Sequence, residues 1–213
     1  MNARAETVLI AGATGAIETI VELPEAAPRG ITLVCHPHPL FGGANSNKVT
    51  HTLARAALKL GDIALRPNFR GVGDSAGTHA DGAGETDDML TVLAWARQRW
   101  GDLPVSLAGF SFGAYVQTRV AQALAEAGHP ARRMALVGTA AGYVEGARHY
   151  ETAAVPATTL IIHGARDETV PLANVLAWAE PLDLPVVVIP GADHFFHRRL
   201  PLIRDLLMRA WRD

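Results

Sequence analysis

Apolar positions along this chain follow two periods. Short aliphatic or β-branched runs read as strands, and longer stretches with an apolar residue every three or four positions read as helices. The runs at 7–10 and 17–23, split by Gly12-Ala13-Thr14-Gly15, predict a hairpin at a sheet edge. The run ITLVC at 31–35 is of the kind found in a strand buried on both faces. Residues 48–60 place Val49, Leu53, Ala56, Ala57 and Leu60 at helical spacing and stop at Gly61. A short strand follows at 63–65. A helix follows at 86–100, with Thr86 as N-cap and Asp87 and Asp88 favourable at its positive end. The strand beginning at 105 runs into a helix that reaches 127. Further strands are predicted at 134–137, 159–162 and 186–189, and helices at 172–180 and 200–211.

Two leading strands followed by strand–helix alternation predict an α/β fold. Its sheet is mostly parallel, with an antiparallel leading strand and helices on both faces. Ligands of such sheets bind outside the carboxyl ends of the strands. The 213 residues suffice for one domain spanning 1–213, and no repeat, low-complexity tract or linker divides them. Composition narrows the class further. Hydrophobic residues make up 49% and charged residues 19%, a soluble globular balance. The net charge of −2 and the lack of a basic run argue against nucleic acid as a partner. One cysteine excludes an intrachain disulfide. The start of the chain carries no signal-peptide pattern, and no apolar run approaches the roughly 20 residues of a membrane span. A cytoplasmic protein with no membrane partner is expected.

The chemistry-bearing residues fall just after predicted strands. Gly109-Phe110-Ser111-Phe112-Gly113 joins strand to helix with Ser111 at the apex. The glycines remove side chains that would collide in so tight a turn, and the Phe112 N–H is left facing any negative charge that develops at the helix start. His163-Gly164-Ala165-Arg166-Asp167 follows another strand, and Asp167 can receive an imidazole N–H. Glu168 is its neighbour but points elsewhere. Gly191-Ala192-Asp193-His194-Phe195-Phe196 follows the last strand, with His194 in a loop and its rival His197 facing outward. Ser111, Asp167 and His194 thus come in the order of a nucleophile, an acid and a base.

His36-Pro37-His38-Pro39-Leu40-Phe41-Gly42-Gly43 is placed to supply a second oxyanion donor. Pro37 and Pro39 have no N–H, which leaves His38 or Leu40, and Leu40 is favoured because it just precedes Phe41 and the glycines. His36 and His38 are spaced like metal ligands, yet no third ligand accompanies them. No metal or organic cofactor is expected. Residues 67–75 read as a structural turn in which Arg70 braces neighbouring loops. The acidic cluster Asp81, Glu85, Asp87 and Asp88 reads as a solvated loop and helix start. Phe41, Phe112, Phe195 and Phe196 are candidate walls of a substrate pocket, with core packing as the alternative for each.

Over nearly its full length the sequence resembles the α/β-hydrolase superfamily. The elbow at 109–113 and the segments HGARDETVP and GADHFF carry the likeness, while HPHPLFGG and NFRGVGDS are similar to small, lidless bacterial hydrolases related to dienelactone hydrolase. Dienelactone hydrolases proper carry cysteine at the elbow. Serine in that place implies ester chemistry in general rather than dienelactones. The resemblance implies catalysis by Ser111, Asp167 and His194, with Phe112 and Leu40 as backbone oxyanion donors. A serine carboxylic-ester hydrolase acting on small or short-acyl substrates is the leading expectation, as a monomer or homodimer. No insertion is large enough for a cap domain, and residues 142–155 form at most a small flap. The same triad would serve a thioesterase, a peptidase or a perhydrolase, and a binding protein of the same fold is the non-catalytic alternative.

Overall fold

The computed structural model describes residues 5–144, 146 and 148–212. Strands β1 (Ala5–Gly12) and β2 (Gly15–Glu22) form the expected antiparallel hairpin. Alternation follows: β3 (Gly30–Cys35), α1 (Lys48–Lys59), β4 (Asp62–Pro67), α2 (Ala83–Trp100), β5 (Val105–Phe110), α3 (Phe112–Glu126) and β6 (Arg133–Val137). A two-stranded hairpin of β7 (Gly142–Val144) and β8 (Arg148–Tyr150) interrupts it. The chain then continues with β9 (Leu160–Gly164), α4 (Leu172–Ala179), β10 (Val186–Ile189) and α5 (Leu200–Ala210). Among the described residues, eight strands form one sheet in the order β1-β2-β4-β3-β5-β6-β9-β10. Only the pairings of β2, with β1 and β4, are antiparallel.

Strand alternation splits the core into two layers. Ile31, Leu33 and Cys35 of β3 and Leu107 of β5 pack on one face, against Met89 and Val92 of α2 and Val116 and Val120 of α3. Val34, Ala108 and Phe110 point the other way, onto Val49 and Leu53 of α1 and Ile203 and Leu207 of α5. Each fully buried Leu, Ile, Val or Phe contributes about 1.5–3 kcal/mol. The central strands β3, β4 and β5 are buried along their whole length. The sheet therefore offers a rigid rim at its carboxyl end, and that is where the loops carrying the candidate residues emerge.

Two expectations need correction. Helix α2 begins at Ala83, not at Thr86, because Gly82 takes a left-handed φ of 97° and Glu85 reaches back to accept its N–H at 2.9 Å. Thr86 lies inside the first turn, its hydroxyl donating to the Gly82 carbonyl at 2.6 Å. Nor is the acidic cluster uniformly solvated, since Glu85 and Asp88 are buried. Asp88 accepts two bonds from Arg70 at 2.8 Å, so Arg70 does brace the loop. No described helix is long and apolar enough to cross a membrane.

Candidate active site

The turn between β5 and α3 is held in a conformation that few side chains accept. Ser111 has φ 57° and ψ −120°. Its N–H donates to Val137 O at 2.9 Å and its carbonyl accepts from Ala114 and Tyr115, which locks the turn to β6 and to the start of α3. A Cβ on Gly109 would sit 2.5 Å from the Gly113 carbonyl, and one on Gly113 would sit 2.5 Å from the Cys35 carbonyl. Only glycine fits at both places. Such strain costs on the order of 1–3 kcal/mol and persists because the surrounding bonds over-determine the turn.

His194 reaches this serine from the loop after β10. Its Nε2 lies 2.9 Å from Ser111 Oγ, and its Nδ1 lies 2.7 Å from Asp167 Oδ2. All three side chains are buried. The carboxylate is fixed by its own turn, since Oδ1 accepts the N–H groups of Thr169 at 3.0 Å and Val170 at 2.8 Å. With Nδ1 donating to Asp167, Nε2 is left as the acceptor for the serine O–H. The ring lies 5.0 Å from that of Phe110. Gly138 lies beside the ring at a left-handed φ of 55°, where a Cβ would meet Phe110 Cε2 at 3.2 Å and His194 Cε1 at 3.4 Å. His163 stands behind the acid. Its Nε2 is 2.9 Å from Val170 O and 3.4 Å from Asp167 Oδ2, and burial pulls its pKa down, so it stays neutral. Gly138 and the role of His163 were not singled out from sequence. Nothing in a linear pattern marks a residue that matters only through its distance from another loop.

The loop after β3 corrects a further expectation. Leu40 does not offer its N–H to the cleft: it donates to His38 Nδ1 at 3.2 Å, and its side chain is exposed. The cause is a short 3-10 turn at Pro39–Phe41, for which His38 is the N-cap. Among the described residues neither the Phe112 N–H nor the His38 N–H has a hydrogen-bond partner. The rings of these two residues pack 4.9 Å apart. His36, two residues earlier, is structural. Its Nε2 accepts the Phe69 N–H at 2.9 Å and its Nδ1 faces Pro37 O at 2.6 Å. Both of its nitrogens are engaged within the protein, so His36 supplies nothing to the metal pair considered above.

A cleft of about 190 Å³ opens over Ser111 and His194, walled by Phe41, Phe195, His38 and Arg148. Phe41 and Phe195 are exposed there. Phe112 and Phe196 are not walls: Phe112 is buried in the core layer of Leu33 and Leu107, and Phe196 is fully buried in the layer that contains Phe110. At φ 52° its backbone turns the chain so that successive phenylalanines face opposite ways. Glu168 is exposed, and His197 is exposed and paired with Asp193 at 2.6 Å, so neither rival reaches the serine. Recesses of about 390 and 290 Å³ beside Lys59 contain none of the three central residues, whereas one of about 420 Å³, lined by Glu168, Asp193, His194 and Phe195, adjoins the cleft.

The profile of the family described as X-Pro dipeptidyl-peptidase (S15 family) matches residues 17–150. The chain belongs to that α/β-hydrolase family. An α/β serine hydrolase without lid from Xanthomonas campestris superposes with a TM-score of 0.86 at 35% identity, covering 99% of this chain and 94% of its own. An α/β serine hydrolase homologue from Coxiella burnetii gives a TM-score of 0.84 at 40% identity, with 97% of each chain covered. An uncharacterised protein of Rickettsia prowazekii is 33% identical over 78% of this chain and 71% of its own length. A lysophosphatidylserine lipase of Gallus gallus is 30% identical over 63% of this chain, which spans 40% of the lipase. The protein is therefore an α/β serine hydrolase of the lidless type. The β7–β8 hairpin of this hydrolase packs on α3 through Tyr150, whose ring lies 4.9 Å from that of Tyr115.

Proposed function

We propose that this hydrolase cleaves carboxylic esters with small or slender acyl groups, through Ser111, His194 and Asp167. The observation that carries the reading is the unbroken chain of bonds from Ser111 Oγ through both His194 nitrogens to Asp167, at 2.9 and 2.7 Å. As Ser111 Oγ attacks the acyl carbon, its proton passes to His194 Nε2. Asp167 holds the imidazole tautomer and stabilises the imidazolium. The oxyanion takes hydrogen bonds from the Phe112 and His38 N–H groups, worth roughly 3–4 kcal/mol per donor. When the tetrahedral intermediate collapses, the alcohol leaves with the proton from His194 and the acyl group stays on Ser111. Water then attacks the acyl-enzyme, losing a proton to His194. Ser111 is regenerated and the carboxylic acid departs.

The small open cleft favours short acyl chains, and the lipase among the relatives is an ester-cleaving enzyme by name. Membership of a peptidase family supports a second reading, cleavage of an amide after an N-terminal dipeptide. A dipeptidyl-peptidase must hold a substrate ammonium, which calls for a carboxylate in its site. Among the described residues lining the recess directly over Ser111 there is none, which favours the ester; Glu168 and Asp193 line the recess that adjoins it at His194.

The test is a p-nitrophenyl ester series run with wild type and Ser111→Ala, alongside labelling by a fluorophosphonate. Expected are labelling of Ser111, best turnover at acetyl to butyryl, and loss of both in the variant. Full activity in Ser111→Ala would remove the reading, and activity that climbs beyond about a dozen acyl carbons would remove its substrate half. Faster cleavage of X-Pro amides than of esters would replace it with the peptidase.

A further inference from the structure

Ser111, His194 and Asp167 stand on turns and loops, which hold a side chain less closely than strands do. The residue behind them is placed differently. His163 lies within β9, in register with Val188 of β10, and the same strand pairs with β6 on its other side. Its side chain is fully buried, as is that of Asp167. From this support the ring reaches forward, and its Nε2 lies 2.9 Å from the Val170 carbonyl. A carbonyl oxygen only accepts, so Nε2 carries the proton and donates it. Val170 is thereby gripped at both ends. Its carbonyl accepts from His163, and its own N–H donates to Asp167 Oδ1 at 2.8 Å.

The ring also stands beside the acid itself. Nε2 is 3.4 Å from Asp167 Oδ2, the oxygen that meets His194 Nδ1 at 2.7 Å. The ionisable groups whose fields reach His163 are Asp167 and His194, and desolvation holds the ring neutral between them. Its other nitrogen gains nothing for the fold. Among the described residues the buried Nδ1 has no hydrogen-bond partner. A buried nitrogen without a partner costs at least as much as one neutral hydrogen bond contributes. The Val170 bond is therefore offset as a source of stability, and its effect is to close a line of bonds running from β9 through Val170, Asp167 and His194 to Ser111.

We propose that His163 is a positioning residue for the proton relay: through Val170 it ties the Asp167 turn to the sheet, and so keeps Asp167 Oδ2 on His194 Nδ1 while the imidazolium forms. His163 touches neither Ser111 nor the cleft over it, and it transfers no proton. The role rests on the relay from Ser111 to Asp167 proposed above, and not on the choice of an ester as substrate.

The experiment compares three variants with wild type. His163→Gln puts an amide N–H at the reach of Nε2. His163→Asn is as polar, but its N–H falls short of Val170. His163→Leu fills the space with no donor. The rate of Ser111 labelling by a fluorophosphonate reads the nucleophile without any ester. Turnover of p-nitrophenyl acetate separates kcat from KM, and proton NMR reads the low-field proton of the His194–Asp167 bond. Asn and Leu should label about tenfold to a hundredfold more slowly, with a matching fall in kcat and little change in KM, as expected for a catalytic group displaced by up to an ångström. Their low-field resonance should broaden or move, while Gln keeps both the resonance and a rate close to that of wild type. Wild-type labelling rates in all three, with only the unfolding midpoint lowered, would reduce His163 to packing and overturn the role. An equal loss in Gln and Asn would overturn it too, and that pair decides if Leu does not fold. If wild type itself is not labelled, the relay reading falls. A low-field proton kept in Gln and lost in Asn would then still carry the positioning role, and one unchanged throughout would remove it.

Discussion

His194 and His79 each lean on a buried carboxylate that is itself fixed by two backbone N–H groups. Asp167 accepts from Thr169 and Val170; Glu85 accepts from Ala80 and Gly82, at 2.9 Å each. Both pairs lie near the carboxyl end of the sheet, and the His79 ring is only 5.2 Å from that of Phe112, next to the serine. What separates them is the second nitrogen. His194 meets its acid in line at 2.7 Å and turns Nε2 to a hydroxyl. His79 lies 2.9 Å from Glu85 but off the line of its N–H, and its other nitrogen meets a second carboxylate, Asp81, at 3.3 Å. With a carboxylate at each nitrogen, neither side of the His79 ring faces a hydroxyl. An acid–histidine pair thus becomes a base only where the far nitrogen faces a group whose proton it can take.

Removing the two histidines should break the comparison most sharply. His194→Ala is expected to lower kcat/KM on a p-nitrophenyl ester by about 10⁴-fold or more, while His79→Gln changes it only a few-fold. Comparable losses would mean that both pairs share in the chemistry. The acids come next. Asp167→Asn should lower kcat by about 10³- to 10⁴-fold, through the wrong tautomer, with the fold intact. Glu85→Gln should instead appear in urea unfolding, as a loss of about 1–3 kcal/mol, because a buried acceptor of two N–H groups is impaired.

Acid titration sharpens the contrast further. His36 is fully buried, and desolvation holds its pKa near 4 instead of 6.5. The unfolded chain takes up a proton near pH 6.5 that the folded protein refuses until about pH 4. Stability is therefore full above pH 6.5 and falls as the pH drops across that window, by roughly 3 kcal/mol from His36 alone. Urea midpoints at pH 7.0, 5.5 and 4.5 read this slope directly, and a flat profile would contradict a neutral buried imidazole. The smallest effect belongs to the elbow. Ser111→Gly should raise stability by about 1 kcal/mol while abolishing turnover, since glycine accepts φ 57° without strain.

Much of the molecule was legible in the linear chain, and the reason is local. The apolar runs of β3 and β5, buried along their length, could only be interior strands, and their alternation with helical periods implies a parallel sheet. Glycine at 109 and 113 is demanded by the turn itself, so strand, elbow and helix were readable together. The chain order Ser111, Asp167, His194 was visible for a similar reason, because each lies just past a strand end. The neighbourhood of the His36–Gly43 loop was less transparent. Elimination of the prolines left two backbone donors, and the choice between them depends on where the His38 ring points, which folds back to cap Leu40. Phe195 and Phe196 are adjacent and alike in sequence, yet one walls the cleft and the other fills the core, because the left-handed φ at 196 reverses the chain.

The sequence by itself determined the elements, the sheet they form and the loops on which chemistry is carried, because periodicity, glycine sterics and the missing proline N–H act over a few residues. Only the tertiary structure decided which partners those loops meet. The distance from Ser111 to His194 spans 83 positions of chain, and the contact between Phe41 and Arg148 spans more than a hundred. Hydrogen bonds and charge fields act over a few ångströms of space without regard to sequence separation. Which histidine nitrogen meets the serine, which N–H is left unpartnered and which phenylalanine walls the cleft are therefore settled when the sheet brings its loop ends together.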